Sequence, residues 1–148
     1  MVLYKKNVIT SMPEPPTWTF MSFVTDMGRD VAKDWDVEKT FAANLAYESM
    51  IKNNKKIADY KNWPAWRHPM KKEAGKAGVV ELGFTEDRKP YRFLCVFNGK
   101  KCIVLLCVAY HKGNVWTPPE AVEIATKRAK IVATGKARLN VIEIKDDI

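Results

Sequence analysis

Apolar residues in the first third of the chain recur at three- and four-residue spacing. The first stripe consists of Phe20, Phe23, Val24, Met27, Val31 and Trp35. This spacing predicts an amphipathic helix. A second stripe, with Phe41, Leu45 and Ile51, follows Asp36, a residue type that caps helix N termini. The pattern predicts a pair of helices before residue 60.

The residues before this helical pair have a different pattern. Two short apolar runs, Val2–Tyr4 and Val8–Ile9, predict an edge strand within Met1–Thr10. The segment Met12–Pro16 holds three prolines, which suit neither a helix interior nor a central strand. We therefore interpret it as a connector.

Alternation of apolar and polar residues begins after a segment, Asn62–Pro69, whose two prolines exclude a helix. Strands are predicted at Val79–Phe84, Tyr91–Phe97 and Cys102–Tyr110. The third strand is almost continuously apolar, which is typical of a central strand covered on both faces. The residues Glu86–Pro90 form the first predicted turn.

Asn98-Gly99 separates the last two predicted strands and favours a two-residue type I′ turn. This turn would place Cys95 opposite Cys102 and Arg92 opposite Leu105. Arg92 would then share a face with Leu94, Val96, Ile103 and Leu105. Because the composition indicates a reducing compartment, the two cysteines are predicted to be buried thiols.

A final helix is predicted after Thr117-Pro118-Pro119-Glu120, which has the form of a capping box. Its apolar face consists of Val122, Ala125, Ala129 and Val132, and Gly135 ends it. Leu139–Ile144 is predicted to add an edge strand. The resulting fold class is α+β, a small antiparallel meander packed by an N-terminal helical pair and a C-terminal helix. We expect residues 1–148 to form a single domain, with 1–60 mainly a helical extension and 65–148 the sheet and last helix.

Positive charge is concentrated in the middle of the chain. The net charge is +8, and residues 52–112 hold 14 basic and 5 acidic residues, so the rest of the chain is close to neutral. Aromatic residues interleave with these cations: Tyr60, Trp63, Trp66, Tyr91, Phe93, Phe97 and Tyr110. Such a pattern favours binding to a polyanion, with RNA as the candidate, although a solvated surface gives the same counts.

Several function classes are excluded by absent signals. The longest apolar run has nine residues, well below the ~18 that suggest a membrane helix. The three cysteines and the lack of a signal core favour a cytoplasmic protein. No phosphate-binding glycine loop, nucleophile elbow or zinc-ligand spacing is present, so we predict no cofactor and no metal.

The remaining chemistry is that of cationic residues at strand ends. Metal-independent RNA cleavage needs a base, a cation that stabilises the phosphate charge and an acid for the leaving oxygen. Arg92 and the run Tyr110-His111-Lys112 could together supply these groups.

The order of several short motifs resembles one family. The motifs are Met70-Lys71-Lys72, Val80-Glu81-Leu82, Tyr91-Arg92-Phe93, Leu105-Leu106, Tyr110-His111-Lys112, Thr117-Pro118 and Glu123-Ile124-Ala125 before Arg128. Over residues 65–132 this order resembles the RelE/HigB superfamily of bacterial toxins, especially its phage-related Gp49-like branch. Members are small α+β ribonucleases that cleave messenger RNA, usually on the ribosome, and are neutralised by an antitoxin.

The resemblance implies roles for individual residues. Arg92 matches the arginine that contacts the scissile phosphate. Tyr110 and Lys112 match the aromatic residue and the first lysine of an F-x-K-K motif at the end of the last meander strand, the exit motif. His111 stands where some branches of the family place an acid or a base. Lys71 and Lys72 match the lysines that approach the RNA. We predict that Lys76, Arg88 and Arg128 also bind RNA. The implied partners are messenger RNA and a helix-turn-helix antitoxin, with no membrane.

Two positions depart from the family pattern. Gly83 replaces an arginine after Glu81-Leu82, and Gly113 replaces a second exit lysine. Both departures remove positive charge from the expected site. Two alternatives to an mRNA-cleaving enzyme therefore stay open: a non-catalytic nucleic-acid-binding regulator, and a toxin that inhibits a protein such as gyrase.

Overall fold

A mixed β-sheet organises the chain. The computed structural model describes residues 17–35 and 40–144, and within them the sheet has seven strands. The strands are β1 (Thr19–Val24), β2 (Trp66–Pro69), β3 (Val79–Glu86), β4 (Lys89–Phe97), β5 (Cys102–Lys112), β6 (Val115–Thr117) and β7 (Arg138–Val141). Their order is β2-β3-β4-β5-β1-β7, and β6 pairs with the end of β5. Among the described strand pairs only β1 and β5 are parallel.

Helices pack on the sheet. They are α1 (Phe41–Asn54), α2 (Lys72–Lys76) and α3 (Ala121–Ala133), with 3-10 turns at Val31–Trp35 and Tyr60–Asn62. The α+β class is confirmed, and so are the three strands of the predicted meander. The small antiparallel sheet is wrong, because β1 joins β5 in parallel and makes the sheet larger and mixed. None of the helices in the described residues combines the length and the apolar character that crossing a membrane requires.

The predicted helix over Phe20–Trp35 is wrong. Its first part is β1, which lies between β5 and β7, and its last part is the 3-10 turn at Val31–Trp35. Gly28, with φ of +83°, stands in the turn that separates them. A strand inside a sheet buries apolar residues on both faces. The buried residues of β1 and of the 3-10 turn happen to recur at the three- and four-residue spacing of a helix. The predicted N-terminal helical pair is therefore a strand followed by one long helix.

Helix α1 confirms the second predicted helix but not its buried side. Thr40 caps it by accepting a hydrogen bond from the backbone N–H of Ala43 at 3.1 Å. Phe41 and Leu45 are 78% and 46% exposed, so the predicted stripe is wrong apart from Ile51. The predicted cap Asp36, the strand within Met1–Thr10 and the connector Met12–Pro16 lie outside the described residues.

The hairpin between β4 and β5 differs from the prediction. Its loop has four residues, 98–101, and the N–H of Asn98 donates to the Cys102 carbonyl at 2.9 Å. Positive φ values occur at Gly99 and Lys101 rather than at two adjacent central residues, so the type I′ turn is wrong. The two-residue turn with both φ values positive lies instead at Asp87-Arg88, between β3 and β4.

This longer loop changes the register. Cys95 pairs with Leu105 rather than Cys102, and an irregularity next to Cys95 shifts the ladder so that Arg92 pairs with Ala109. Leu94 and Val96 share the face of Arg92, as predicted. Ile103 and Leu105 pair with Phe97 and Cys95 and lie on the opposite face, so this part of the predicted face is wrong. Cys95 is a buried free thiol, as predicted, whereas Cys102 is only half-buried.

The core has two layers. On one face of the sheet, an aromatic cluster joins the 3-10 turn and α1 to β3 and β4; its members are Trp35, Tyr47, Phe84, Tyr91 and Phe93. Helix α3 packs on β4 and β5 with Ala121, Ala125 and Ala129 fully buried.

The C-terminal end of α3 is as predicted, whereas its N-terminal cap is not. The helix is confirmed, and Gly135, with φ of +78°, follows its end as predicted. Glu120 at its start makes no side-chain capping hydrogen bond, so the predicted capping box is wrong. Strand β7 confirms an edge strand, which begins at Arg138.

Asp30 ties three segments together next to β1. Its carboxylate accepts hydrogen bonds from the Ser22 hydroxyl at 2.6 Å, the Ala32 N–H at 2.9 Å and the Asn140 side-chain amide at 2.9 Å. Burial on its own would raise the pKa of Asp30, but these hydrogen bonds and the nearby Lys33 together lower it.

We expect Asp30→Ala to reduce the free energy of unfolding by about 2–3 kcal/mol, because it leaves the buried Ser22 hydroxyl without this acceptor. The lowered pKa means that this stabilisation is present above the unfolded-state value, about 3.9, and is lost as pH falls through the folded-state value. Urea unfolding of the wild type and of Asp30→Ala at pH 7 and pH 3 measures both effects. Asp26→Ala, an exposed residue of the same turn, is the control, and an equal loss in the two variants would contradict the prediction.

Candidate functional site

A charged pair stands on the sheet among apolar neighbours. Nε of Arg92 on β4 lies 3.2 Å from Oε2 of Glu81 on β3, and the side chains are 18% and 8% exposed. Arg92 Nη1 also donates to the Tyr91 carbonyl at 2.8 Å. Burial lowers the pKa of Arg92, Glu81 opposes this shift and Arg67 adds to it. The guanidinium of Arg92 is thus partly desolvated, and its charge is matched by a buried carboxylate.

Gly83 makes room for the Arg92 side chain. The two residues are cross-strand partners, and a Cβ at Gly83 would lie 2.8 Å from Arg92 Nη1, 2.9 Å from its Cδ and 2.6 Å from the Tyr91 carbonyl oxygen. A side chain here would force Arg92 to move. The glycine that stands at position 83 in place of the family's arginine therefore leaves the space in which the Arg92 side chain reaches Glu81.

His68 lies on the other side of Glu81. The two residues pair across β2 and β3, and Nε2 of His68 is 3.7 Å from Oε2 of Glu81. Nδ1 of His68 is 2.9 Å from the Pro69 carbonyl oxygen, which can only accept, so Nδ1 is the donor in this contact. The imidazole is 57% exposed, so ligands can reach it.

The three candidate residues at the end of β5, Tyr110, His111 and Lys112, lie on different faces of the sheet. Tyr110 pairs with Tyr91, and their rings are 6.5 Å apart on the aromatic face. His111 points to the opposite face, where its ring lies 4.5 Å from that of its cross-strand partner Trp116. Lys112, the next residue, is exposed and alternates back to the side of Tyr110.

The structure thus brings Arg92 and His111 to one face and leaves Tyr110 and Lys112 on the other. Because Arg92 pairs with Ala109, His111 is its diagonal neighbour, at a typical Cα separation of about 7–8 Å. His68, Glu81, Arg92 and His111 come from four adjacent strands, β2 to β5, and form a diagonal row on this face.

Most of the predicted RNA-binding residues are exposed. Lys71 and Lys72 precede and begin α2, Lys76 pairs with Glu73 at 3.3 Å, and Arg88 lies in the β3–β4 turn. Their contacts with RNA stay predictions.

Arg128 has a role in the fold. Its Nη1 donates to the Leu106 carbonyl at 2.7 Å, at the irregularity in β5, and its guanidinium lies 5.5 Å from the Phe23 ring centroid. These contacts hold α3 on the sheet, and the predicted RNA contact of Arg128 stays a prediction.

Glu81 and His68 were missed as site residues by the sequence reasoning. Glu81 lies in the predicted strand Val79–Phe84, and an acidic residue among the apolar residues of a strand is a signal that it has a partner. His68 lies in the segment Asn62–Pro69, whose prolines exclude a helix and whose pattern does not predict a strand. Their proximity depends on the pairing of β2 with β3, which neither spacing nor periodicity shows.

The fold and this row of side chains define an α+β domain with acidic, basic and imidazole groups on one sheet face. The family model described as phage-derived protein Gp49-like (DUF891) matches residues 42–130, more than half of the chain. The chain belongs to this family. No curated protein and no solved structure matches it.

Proposed function

We propose that this protein is a toxin of the RelE/HigB type, an endoribonuclease that cleaves messenger RNA in the cytoplasm and is neutralised by a cognate antitoxin. Membership of the Gp49-like family supports the class of protein. The observation that carries the proposal is the Glu81–Arg92 pair, a buried carboxylate beside a cation with a histidine on either side of the pair.

The row suits the cleavage of RNA by its own 2′-hydroxyl. Glu81 would take the 2′ proton, and the 2′ oxygen would attack the adjacent phosphorus. Arg92 would bind the non-bridging oxygens, where negative charge grows. A protonated His111 would give its proton to the departing 5′ oxygen. The products would be a 2′,3′-cyclic phosphate and a 5′-hydroxyl.

Arg92 would change partner during this reaction. In the free protein its charge is matched by Glu81, and a phosphate that binds Arg92 would share the guanidinium with the carboxylate. Protonation of Glu81 by the 2′-hydroxyl would then release Arg92 to the phosphate as the charge there increases. The ion pair therefore supports a role in catalysis as well as in folding.

Expression in bacteria tests the proposal. The wild type should slow growth and cut translated messages, and co-expression of the product of a small adjacent helix-turn-helix gene should restore growth. Mapping of RNA 5′ ends detects the cuts. A wild-type protein that neither slows growth nor cuts RNA with ribosomes present would refute the proposal.

A non-catalytic regulator is the second candidate, favoured by the charge of Arg92 being already matched by Glu81. It would bind nucleic acid with a steep dependence on salt and would not cut it. Cleavage by the purified wild type, lost in Glu81→Gln, would remove this candidate.

A further inference from the structure

A second cationic surface lies at the far end of the sheet from His111. It forms where residues 17–19, 55–63 and 98–101 meet. The Trp18 N–H donates to the Lys55 carbonyl at 2.8 Å, and the Thr19 N–H donates to the Lys101 carbonyl at 2.8 Å. Nζ of Lys101 donates to the Ala58 carbonyl at 2.9 Å. We call the exposed residues Lys56, Lys61, Lys100 and Lys101 the lysine surface.

Aromatic rings lie directly beside the lysine surface. A shallow pocket of about 610 Å³ is lined by Trp18, Ala58, Asp59, Tyr60, Gly99, Lys100 and Lys101. Tyr60 is half-buried, and its ring lies 5.9 Å from Nζ of Lys61, while Lys101 lies over Trp18 at 4.9 Å. The pocket thus has aromatic side chains in its wall and lysines at its rim.

The charge around this pocket is poorly balanced by acids. Six of the 14 basic residues between 52 and 112 belong to residues 52–61 and 100–101, and the one acidic residue in these two segments is Asp59. The side chain of Asp59 accepts a hydrogen bond from the Lys61 backbone N–H at 3.0 Å. The other eight basic residues share their part of the chain with four acidic ones. The net charge is thus +5 in these two segments and +4 in the rest of residues 52–112, and Glu143 also lies beside Trp18 and Lys55.

This surface is separate from the candidate site. Phe97, which contacts Trp18 and Tyr60, is five residues along β4 from Arg92, a distance of about 17 Å. Alternation along β4 places Phe97 and Arg92 on opposite faces of the sheet. One oligonucleotide base or phosphate cannot touch both.

We propose that the lysine surface and Tyr60 bind single-stranded RNA, with an unpaired base against the Tyr60 ring and phosphates on the lysines. A single strand fits because stacking needs a free base face, which a duplex hides. The choice of RNA as the polyanion rests on the proposed function, whereas the binding itself needs no cleavage. The surface would hold a stretch of the substrate, or of RNA next to it, away from the reacting phosphate.

Fluorescence anisotropy with a labelled 2′-O-methyl RNA decamer tests the proposal, because this RNA has no 2′-hydroxyl to attack and cannot be cleaved. The charge-reversing double variant K56E/K100E should bind at least about tenfold more weakly. The slope of the logarithm of its binding constant against the logarithm of the salt concentration should be about 1.4 shallower, as expected for the loss of two phosphate contacts with a single strand. The matched control K130E/K136E changes the net charge equally at exposed lysines elsewhere and should stay within about threefold of wild type. Tyr60→Leu, which keeps an apolar side chain, should weaken binding about tenfold.

Three results would overturn the inference: equal weakening in the two double variants, no effect of Tyr60→Leu in a protein with a wild-type circular dichroism spectrum, or tighter binding of a duplex than of the single strand. A DNA decamer bound more tightly than RNA would overturn the choice of RNA. Cleavage and binding at the lysine surface can be refuted independently. A wild-type protein that gives the expected binding results but does not cut RNA would refute the proposed cleavage and support the proposed binding.

Discussion

Glu81→Gln should lower the rate of RNA cleavage by roughly 10²- to 10⁴-fold, the usual contribution of a general base. The amide keeps the shape of the side chain and an oxygen for the Arg92 Nε–H, 3.2 Å away, but it cannot take a proton from the 2′-hydroxyl. Single-turnover cleavage of a labelled message on ribosomes, with the variant in excess, measures the rate of the chemical step.

Glu86→Gln is the matched control for this prediction. Glu86 stands at the end of the same strand, pairs with Lys89 across the hairpin and is outside the row of site residues. Its variant should cleave at close to the wild-type rate. If Glu81→Gln also retained the wild-type rate while folded, Glu81 would not be the base and the proposed chemistry would be wrong.

Arg92→Met should reduce the free energy of unfolding by about 3 kcal/mol, because it leaves the buried Glu81 carboxylate without its cation. The double variant E81L/R92M removes both charges and should recover most of this loss, since a buried ion pair is itself costly to desolvate. Urea denaturation of the wild type, the two single variants and the double variant gives the coupling between the residues.

An exposed pair provides the contrast. Lys76→Met breaks the Lys76–Glu73 pair on α2, where both side chains are exposed, and should cost less than about 0.5 kcal/mol. An equal cost for Arg92→Met and Lys76→Met would show that burial of Glu81 does not matter. A double variant as unstable as the sum of its single variants would show that the two residues are not coupled.

The meander could be predicted from the sequence because β3, β4 and β5 have long apolar runs bounded by turn residues. Strand β1 could not, since a short segment that is buried on both faces has no period-two signal and imitates a helix. The register of β5 depends on an irregularity near Leu106, whose carbonyl is bound by Arg128 from a helix 22 residues away. Such a tertiary contact leaves no local pattern.

Half of the site row was predictable. Arg92 and His111 were identified from their places on strands and from the family resemblance, and the structure brings them to one face. Glu81 and His68 join them through the pairing of β2 with β3 and β4. Tyr110 and Lys112, predicted with them, lie on the other face because side chains alternate along β5.

The chemistry of the cut ends shows whether the 2′-hydroxyl of the RNA is the nucleophile. Purified wild-type protein should be incubated with ribosomes that carry a labelled message, and the ends of the fragments should be identified. We expect 2′,3′-cyclic phosphate and 5′-hydroxyl ends, and no cut where the nucleotide 5′ of the scissile phosphate is replaced by its 2′-deoxy form. Intact message, fragments with 5′-phosphate ends, or cleavage at the 2′-deoxy nucleotide would contradict it.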